Sequence, residues 1–203
     1  MELILDHIAV ACAVLEDGAA DVARALGTDL QAGGQHAHFG THNRLLGLGP
    51  DYLEVIAIDP TAPPLEYPRW FDLDTFAGPP RLTNWIARTA SLDAAVEALG
   101  PGYGAPVALS RGALRWRMAV PQSGKLPFSN SSPALIEWET DPPHAALTDR
   151  GYRLRQLSVR HPEAEALAAT LAPFLSDARV VFEAGTPGLQ ARIDTPQGPR
   201  VIA

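Results

Sequence analysis

Leu5-Asp6-His7-Ile8-Ala9-Val10, followed by the stretch from Leu15 to Leu26, is the pattern on which the fold turns. The first six residues read as a strand interrupted by ionisable groups. Behind them, Leu15, Ala19, Val22, Ala23 and Leu26 share one face at helical spacing, and Gly27 offers a C-terminal stop. Thr83-Asn84-Trp85-Ile86-Ala87-Arg88 repeats the strand. Ser91, as N-cap, then opens a second helix from Leu92 to Leu99, with Gly100 behind it. A third copy begins at Leu154-Arg155-Gln156-Leu157-Ser158-Val159 and passes Pro162 into an apolar helix reaching Leu175.

Short strand-like runs follow each helix. They are Gln35–Phe39, Asn43–Leu48 and Tyr52–Ile58, then Val107–Leu109, Leu114–Val120 and Ala134–Glu139, then Arg179–Ala184, Leu189–Asp194 and Arg200–Ile202. Turn residues such as Gly49-Pro50 and Pro196-Gln197-Gly198-Pro199 separate them. The predicted fold class is therefore α+β, with repeated βαβββ modules forming a cupped mixed sheet and helices packed outside. Residues 1–60 make the first module, 61–80 a connecting loop pinned by Trp70 and Phe71, and 81–140 the second module. Residues 150–203 make a third, shortened βαβββ-like unit.

Composition narrows the function classes. The chain has 203 residues, 46% hydrophobic and 19% charged, which is the balance of a globular protein. No stretch approaches the roughly 20 apolar residues that a membrane span requires. The N-terminus carries acidic residues where a secretory signal would be basic, so it is read as a strand of the mature fold and the protein as cytoplasmic. A net charge of −7 without a basic run argues against nucleic acid or anionic membranes as partners. The single cysteine, Cys12, lies in a small apolar run and reads as a buried structural thiol.

Chemistry is suggested by ionisable groups set in apolar strands. Glu54 interrupts Tyr52-Leu53-Glu54-Val55-Ile56, Glu137 interrupts Leu135-Ile136-Glu137-Trp138, and His7 interrupts the first strand. A carboxylate in such surroundings needs a cation, a hydrogen-bond network or a metal ion. One imidazole and two carboxylates suit a divalent ion such as Zn, Ni, Mn or Fe. Each residue has a plainer alternative: His7 as a satisfied core histidine, Glu54 paired with Arg44, and Glu137 turned to solvent beside Glu139. His36 and His38 read as an exposed loop cluster. His42-Asn43, after the flexible Gly40-Thr41, is better placed to approach a ligand.

These pieces together resemble the glyoxalase-like domain family of the vicinal-oxygen-chelate superfamily. The likeness runs through Leu5-Asp6-His7-Ile8, Gly40-Thr41-His42-Asn43, Tyr52-Leu53-Glu54-Val55-Ile56, Pro80-Arg81-Leu82, Trp85, Leu126-Pro127-Phe128 and Ile136-Glu137-Trp138, to the ending near Gly198-Pro199. The resemblance implies paired modules around a pocket, with a divalent metal held from the first and last strands of each. Mapped by repeat position, His7, Glu54 and Glu137 would be the metal ligands, and Trp85 stands where a fourth would be. Glu137 or Glu54 would then move a proton while the metal stabilises an enolate, making the protein a metal-dependent lyase or isomerase. His42, Asn43, Trp70, Trp85 and Phe128 would bind a small oxygenated substrate. Two alternatives stand beside this: an Fe(II) dioxygenase on the same ligands, or a metal-free binding or sequestering protein in which Trp85 stacks on a flat ligand. A homodimer is the expected assembly.

Overall fold

The computed structural model describes residues 1–203. The first module runs β1 (Ile4–Ala11), α1 (Leu15–Leu26), β2 (Gln31–His36), β3 (Thr41–Gly47) and β4 (Tyr52–Ile58). The second runs β5 (Arg81–Arg88), α2 (Leu92–Leu99), β6 (Ala105–Arg111), β7 (Leu114–Val120) and β8 (Ala134–Trp138). Together they form one eight-stranded mixed sheet in the order β2-β3-β4-β1-β5-β8-β7-β6. β1 and β5 pair antiparallel at the centre, and each lies parallel to the last strand of its own module. The fold is α+β, a curled half-barrel with its helices outside.

α1 ends where the sequence predicts. Gly27 takes the left-handed conformation (φ 75°), and its N–H and that of Thr28 both reach the Ala23 carbonyl, at 2.8 and 3.2 Å. Gly18 lets α1 settle on β4, because a Cβ there would collide with Cys12 and press on Val55. Cys12 is buried, and burial pushes its thiol up to about 12, so it is an inert packing group near neutral pH.

The last five elements are β9 (Arg153–His161), α3 (Ala164–Leu171), β10 (Val180–Ala184), β11 (Gly188–Thr195) and β12 (Gly198–Ile202). They build a separate four-stranded sheet in the order β10-β9-β11-β12. Here α3 joins two neighbouring parallel strands, whereas α1 carries the chain from β1 to the far edge of its sheet. This sheet packs on the outer face of the β1–β5 seam, which α1 and α2 leave uncovered. Leu189, Ala191 and Ile193 share that outer core with Ile8, Val10, Leu82 and Trp85. The guanidinium of Arg179, bonded to Asp177, also pairs with buried Asp51 and ties the two sheets together.

One strand differs from its expected position. β2 spans Gln31–His36, not residues 35–39, because Gly33 and Gly34 form a bulge between Ala32 and Gln35 and the chain pairs earlier with β3. No helix is long and apolar enough to cross a membrane.

Candidate functional site

Side chains alternate across a strand, so Tyr52, Glu54 and Ile56 of β4 project from one face while Leu53, Val55 and Ala57 enter the outer core. On β1 the same rule sends Ile8 and Val10 outward and His7 and Ala9 into the cup. A bulge at Asp6, where the register with β5 shifts between Leu5 and His7, keeps both acid and imidazole inside. The result is a row of buried ionisable groups. Asp6 is 0% exposed, His7 4%, Glu54 5%, Asn43 4% and His36 5%.

The row is fully wired. His7 Nδ1 donates to Asp6 Oδ1 at 2.6 Å, and its Nε2 faces Glu54 Oε2 at 3.6 Å. The Tyr52 ring stacks on the imidazole at 4.2 Å and 16°, which fixes its plane. Asp6 is held from behind by the indole N–H of Trp138 at 3.1 Å and by Arg88 at 3.5 Å. The Asn43 amide donates to Glu54 Oε1 at 2.5 Å, and its carbonyl accepts from the Gly34 N–H at 2.8 Å and from Arg111 Nη1 at 3.0 Å. A Cβ on Gly33 would collide with the Asn43 side-chain oxygen and stand 2.5 Å from its backbone oxygen, so this glycine makes room for the network.

Burial works to raise Glu54, but the hydrogen bond and charge of His7, with His36 and Asn43, outweigh it and hold the carboxyl down at about 2. Burial works to lower His7, yet the two flanking carboxylates raise it above its ordinary value. His36 goes the other way: burial takes it down to about 4. Its geometry agrees, since Arg111 can only donate, so His36 Nε2 accepts at 2.9 Å and Nδ1–H donates to Thr41 Oγ1 at 3.0 Å. Near neutral pH the cup therefore holds ionised Asp6 and Glu54, a His7 whose protonated form the two carboxylates favour, and a neutral His36.

The cavity in front of these groups has about 30 Å³ of room, enough for one or two water-sized molecules. Trp70, Phe71, Trp116, Met118, Ile136 and Trp138 wall it. Trp70 and Phe71 belong to a 3-10 turn, Trp70–Thr75, folded over the cup from the connecting loop. Phe71 and Asp72 are both left-handed, at φ 60° and 55°, and the Asp72 N–H is held by the Gly124 carbonyl at 3.0 Å. Trp70 stacks on Phe39 at 4.5 Å and meets His36 edge-on at 5.1 Å.

The structure thus brings together His7, Glu54, Asn43 and Trp70, and leaves out the other candidates. Glu137 lies on the opposite face of β8. Its Oε2 accepts the Leu92 N–H at 2.8 Å, capping α2 where Ser91 was expected to, and it lies 3.5 Å from Arg117. Trp85 is fully buried in the outer core, where its Nε1 donates to the Ser131 carbonyl at 2.8 Å. Phe128 packs against the same outer core, edge-on to His161. His42 shares the outward face of β3 with Arg44, which pairs with Glu16 and not with Glu54.

Asp6 and Arg111 are the residues that sequence reasoning missed, and His36, expected in an exposed loop cluster, is instead buried at the end of β2 because the bulge draws it into the sheet. The pair Gly33-Gly34, unusual within a strand, was the signal that backbone and side chains approach closely there.

The register also corrects the mapping between modules. Ile8 pairs with Trp85, His7 with Ile86 and Ala9 with Asn84, and a second bulge at Thr83 mirrors the one at Asp6. The counterpart of His7 is thus Asn84, not Trp85. Glu54 lies beside Ala9 as Ala134 lies beside Ile86, so Ala134, not Glu137, is the counterpart of Glu54. The second module consequently adds no acidic or imidazole group beside His7 and Glu54. No group of three or more His, Cys, Asp or Glu is arranged to hold a metal ion, and a guanidinium stands beside the pair instead. The residues present do not fit the divalent ion that the resemblance implied.

Comparison with known proteins agrees with the architecture. A solved structure of a hypothetical protein from Staphylococcus aureus is 14% identical, with a TM-score of 0.65 over 93% of this chain and 88% of that one. Methylmalonyl-CoA epimerase from Mycobacterium tuberculosis is 20% identical, with a TM-score of 0.45 over 70% of this chain and 91% of that one. The Streptomyces coelicolor methylmalonyl-CoA epimerase, solved with 2-nitronate-propionyl-CoA, is 14% identical, with a TM-score of 0.46 over 69% and 100%. None of the curated protein sequences matches the chain. A model of the glyoxalase-like domain matches residues 5–175, most of the sequence, and the chain belongs to the glyoxalase-like domain family.

Proposed function

We propose that this protein binds a small oxygenated molecule in the cup of the eight-stranded sheet and moves a proton on it, using His7 and Glu54 without a metal ion. The observation that carries this reading is the buried chain Asp6–His7–Glu54–Asn43, with its contacts of 2.6, 3.6 and 2.5 Å. Buried charges are expensive, and a structural role would be served as well by apolar side chains. A histidine oriented by one carboxylate and facing another is a working acid–base pair.

The roles follow from the charges. His7, protonated and fixed by Asp6 and Tyr52, donates to a substrate oxygen and stabilises an enolate as it forms. Glu54, ionised, takes the proton from the neighbouring carbon and returns it there or to the oxygen, so the reaction is a proton shift with no net loss. The same ion pair that holds Glu54 down also weakens it as a base. The substrate oxygen must therefore draw His7 toward itself before the carboxylate can act. The walls of Trp116, Trp138 and Met118 exclude water and strengthen each of these interactions.

The test is deuterium exchange at carbons next to a carbonyl, followed by NMR over a panel of small oxo and hydroxy compounds. Glu54→Gln and His7→Gln should each slow exchange by about 10²–10⁴-fold. Exchange that survives Glu54→Gln, or that stops with a chelator and returns with a divalent metal, overturns the reading. The aromatic wall favours one second reading, sequestration without turnover, and it predicts tight binding with no exchange in the unaltered protein.

A further inference from the structure

We infer that the molecule held in this cavity carries a carboxylate group and that Arg111 is its anchor. The inference rests on the reading of the cup as a small-molecule site and names the class of molecule it takes.

Arg111 ends β6, one edge of the eight-stranded sheet, and the chain turns back at Gly112 (φ 57°). The curl of the sheet brings this edge against β2, the other edge, so closely that a Cβ on Gly34 would lie 2.7 Å from Arg111 Cδ. The guanidinium thereby joins a network made otherwise by the first module. It uses only Nη1, which donates to His36 and Asn43, both neutral. Nη2 and Nε have no protein partner, and Arg111 makes no ion pair.

The arginines beside buried acids are both paired: Arg88 with Asp6 and Arg179 with Asp51. Counting charges around the cup sharpens the contrast. The negative charges of Asp6 and Glu54 are matched by His7 between them and Arg88 behind. Arg111 is left as an unmatched cation on an aromatic wall. A half-buried charge in such a place calls for a counter-charge, and two free donors on one guanidinium present the fork that a carboxylate meets with both oxygens.

Room and charge favour a carboxylate over a phosphate. The cavity's 30 Å³ takes only the small end of the bound molecule, its planar carboxyl group, and ionised Glu54 nearby disfavours a dianion. Asn43 bridges Arg111 to Glu54, so an acid bound on Arg111 brings its nearest proton-bearing carbon, C2 of a hydroxy acid or C3 of an oxo acid, toward the acid–base pair. The class is then a small carboxylic acid bearing a hydroxyl or oxo oxygen next to the carboxyl carbon.

Isothermal titration calorimetry tests this with glycolate and pyruvate, each beside its neutral amide, and with inorganic phosphate. At least one acid should bind tenfold or more tighter than its amide and than phosphate. Arg111→Gln should erase that preference, and Arg111→Lys should retain part of it. Equal binding of acid and amide, tighter binding of phosphate, no binding of either acid, or an unchanged preference in Arg111→Gln overturns the assignment. The acid–amide contrast in the unaltered protein stands even if a variant does not fold. Acids that bind without proton exchange would sink the catalytic reading alone. Exchange on neutral carbonyl compounds with indifference to acids would sink this one alone.

Discussion

The two halves of the eight-stranded sheet share a strand order and a mirrored pair of bulges, yet they treat buried polar residues in opposite ways. In the first module Asp6 and His7 sit at the bulge and Glu54 beside it, and each has partners within 2.5–3.6 Å. Thr83 and Asn84 sit at the matching bulge of the second module, where the Thr83 hydroxyl and both polar atoms of the fully buried Asn84 amide have no partner. Asn43 and Asn84 make the contrast within one residue type. Asn43 makes hydrogen bonds from both ends, and Asn84 makes none. Topology gives both halves the same positions, and only residue choice turns one set into a network.

Replacing His7 should reveal the largest asymmetry. His7→Leu leaves Asp6 and Glu54 buried without the cation between them and should cost about 3–5 kcal/mol in urea unfolding. Asn84→Leu, at the matching position, removes only unpaired atoms and should cost nothing or stabilise. A similar loss at both positions would break the comparison.

Gly33→Ala should come next, at about 1–3 kcal/mol, because its Cβ falls on Asn43. Gly185→Ala, whose nearest neighbour would be 3.9 Å away, serves as the silent control, within about 0.5 kcal/mol.

The pH dependence should be bell-shaped, with limbs that belong to different groups. His36 falls from 6.5 to about 4 on folding, so between those values the unfolded chain binds a proton that the folded one does not. Stability should then decrease as pH falls through that window. Glu54, lowered from 4.5 to about 2, extends the acid limb, with its stability present above 4.5 and lost toward 2. His7 is raised, so its stability is present below 6.5 and lost as pH rises through its folded value. Thermal unfolding across pH should show His36→Gln flattening the limb between 6.5 and 4 while leaving the alkaline limb in place.

The smallest effect is the gain at Asn84→Leu itself, up to about 1–2 kcal/mol. A clear loss there would mean that the amide has a partner the contrast does not count.

Much of the fold was legible in the sequence, because periodicity and stop signals are local: Leu92–Leu99 and Tyr52–Ile58 fall where the pattern predicts. His7 and Glu54 stood out for the same reason, as charges inside apolar runs. Glu137 misled because of parity. Glu54 is the third residue of β4 and Glu137 the fourth of β8, so equal-looking motifs face opposite ways. Trp85 misled because repeat alignment by eye ignores the bulges, which shift the correspondence by one residue. Arg111 and His36 were out of reach because they meet only through the curl of the sheet, 75 residues apart in the chain.

That closure of edge upon edge has a mechanical consequence. The acid–base centre is built within one half of the barrel, whereas its cation arrives on the β6–β7 hairpin like the upper jaw of a clamp. Anything that pries the jaw open, a crosslink across the rim or a partner wedged at β2, would remove the proposed carboxylate anchor while leaving the Asp6–His7–Glu54 network assembled. On the proposed reading, recognition and chemistry would therefore fail separately, a lesion at the β6–β7 hairpin silencing one and sparing the other.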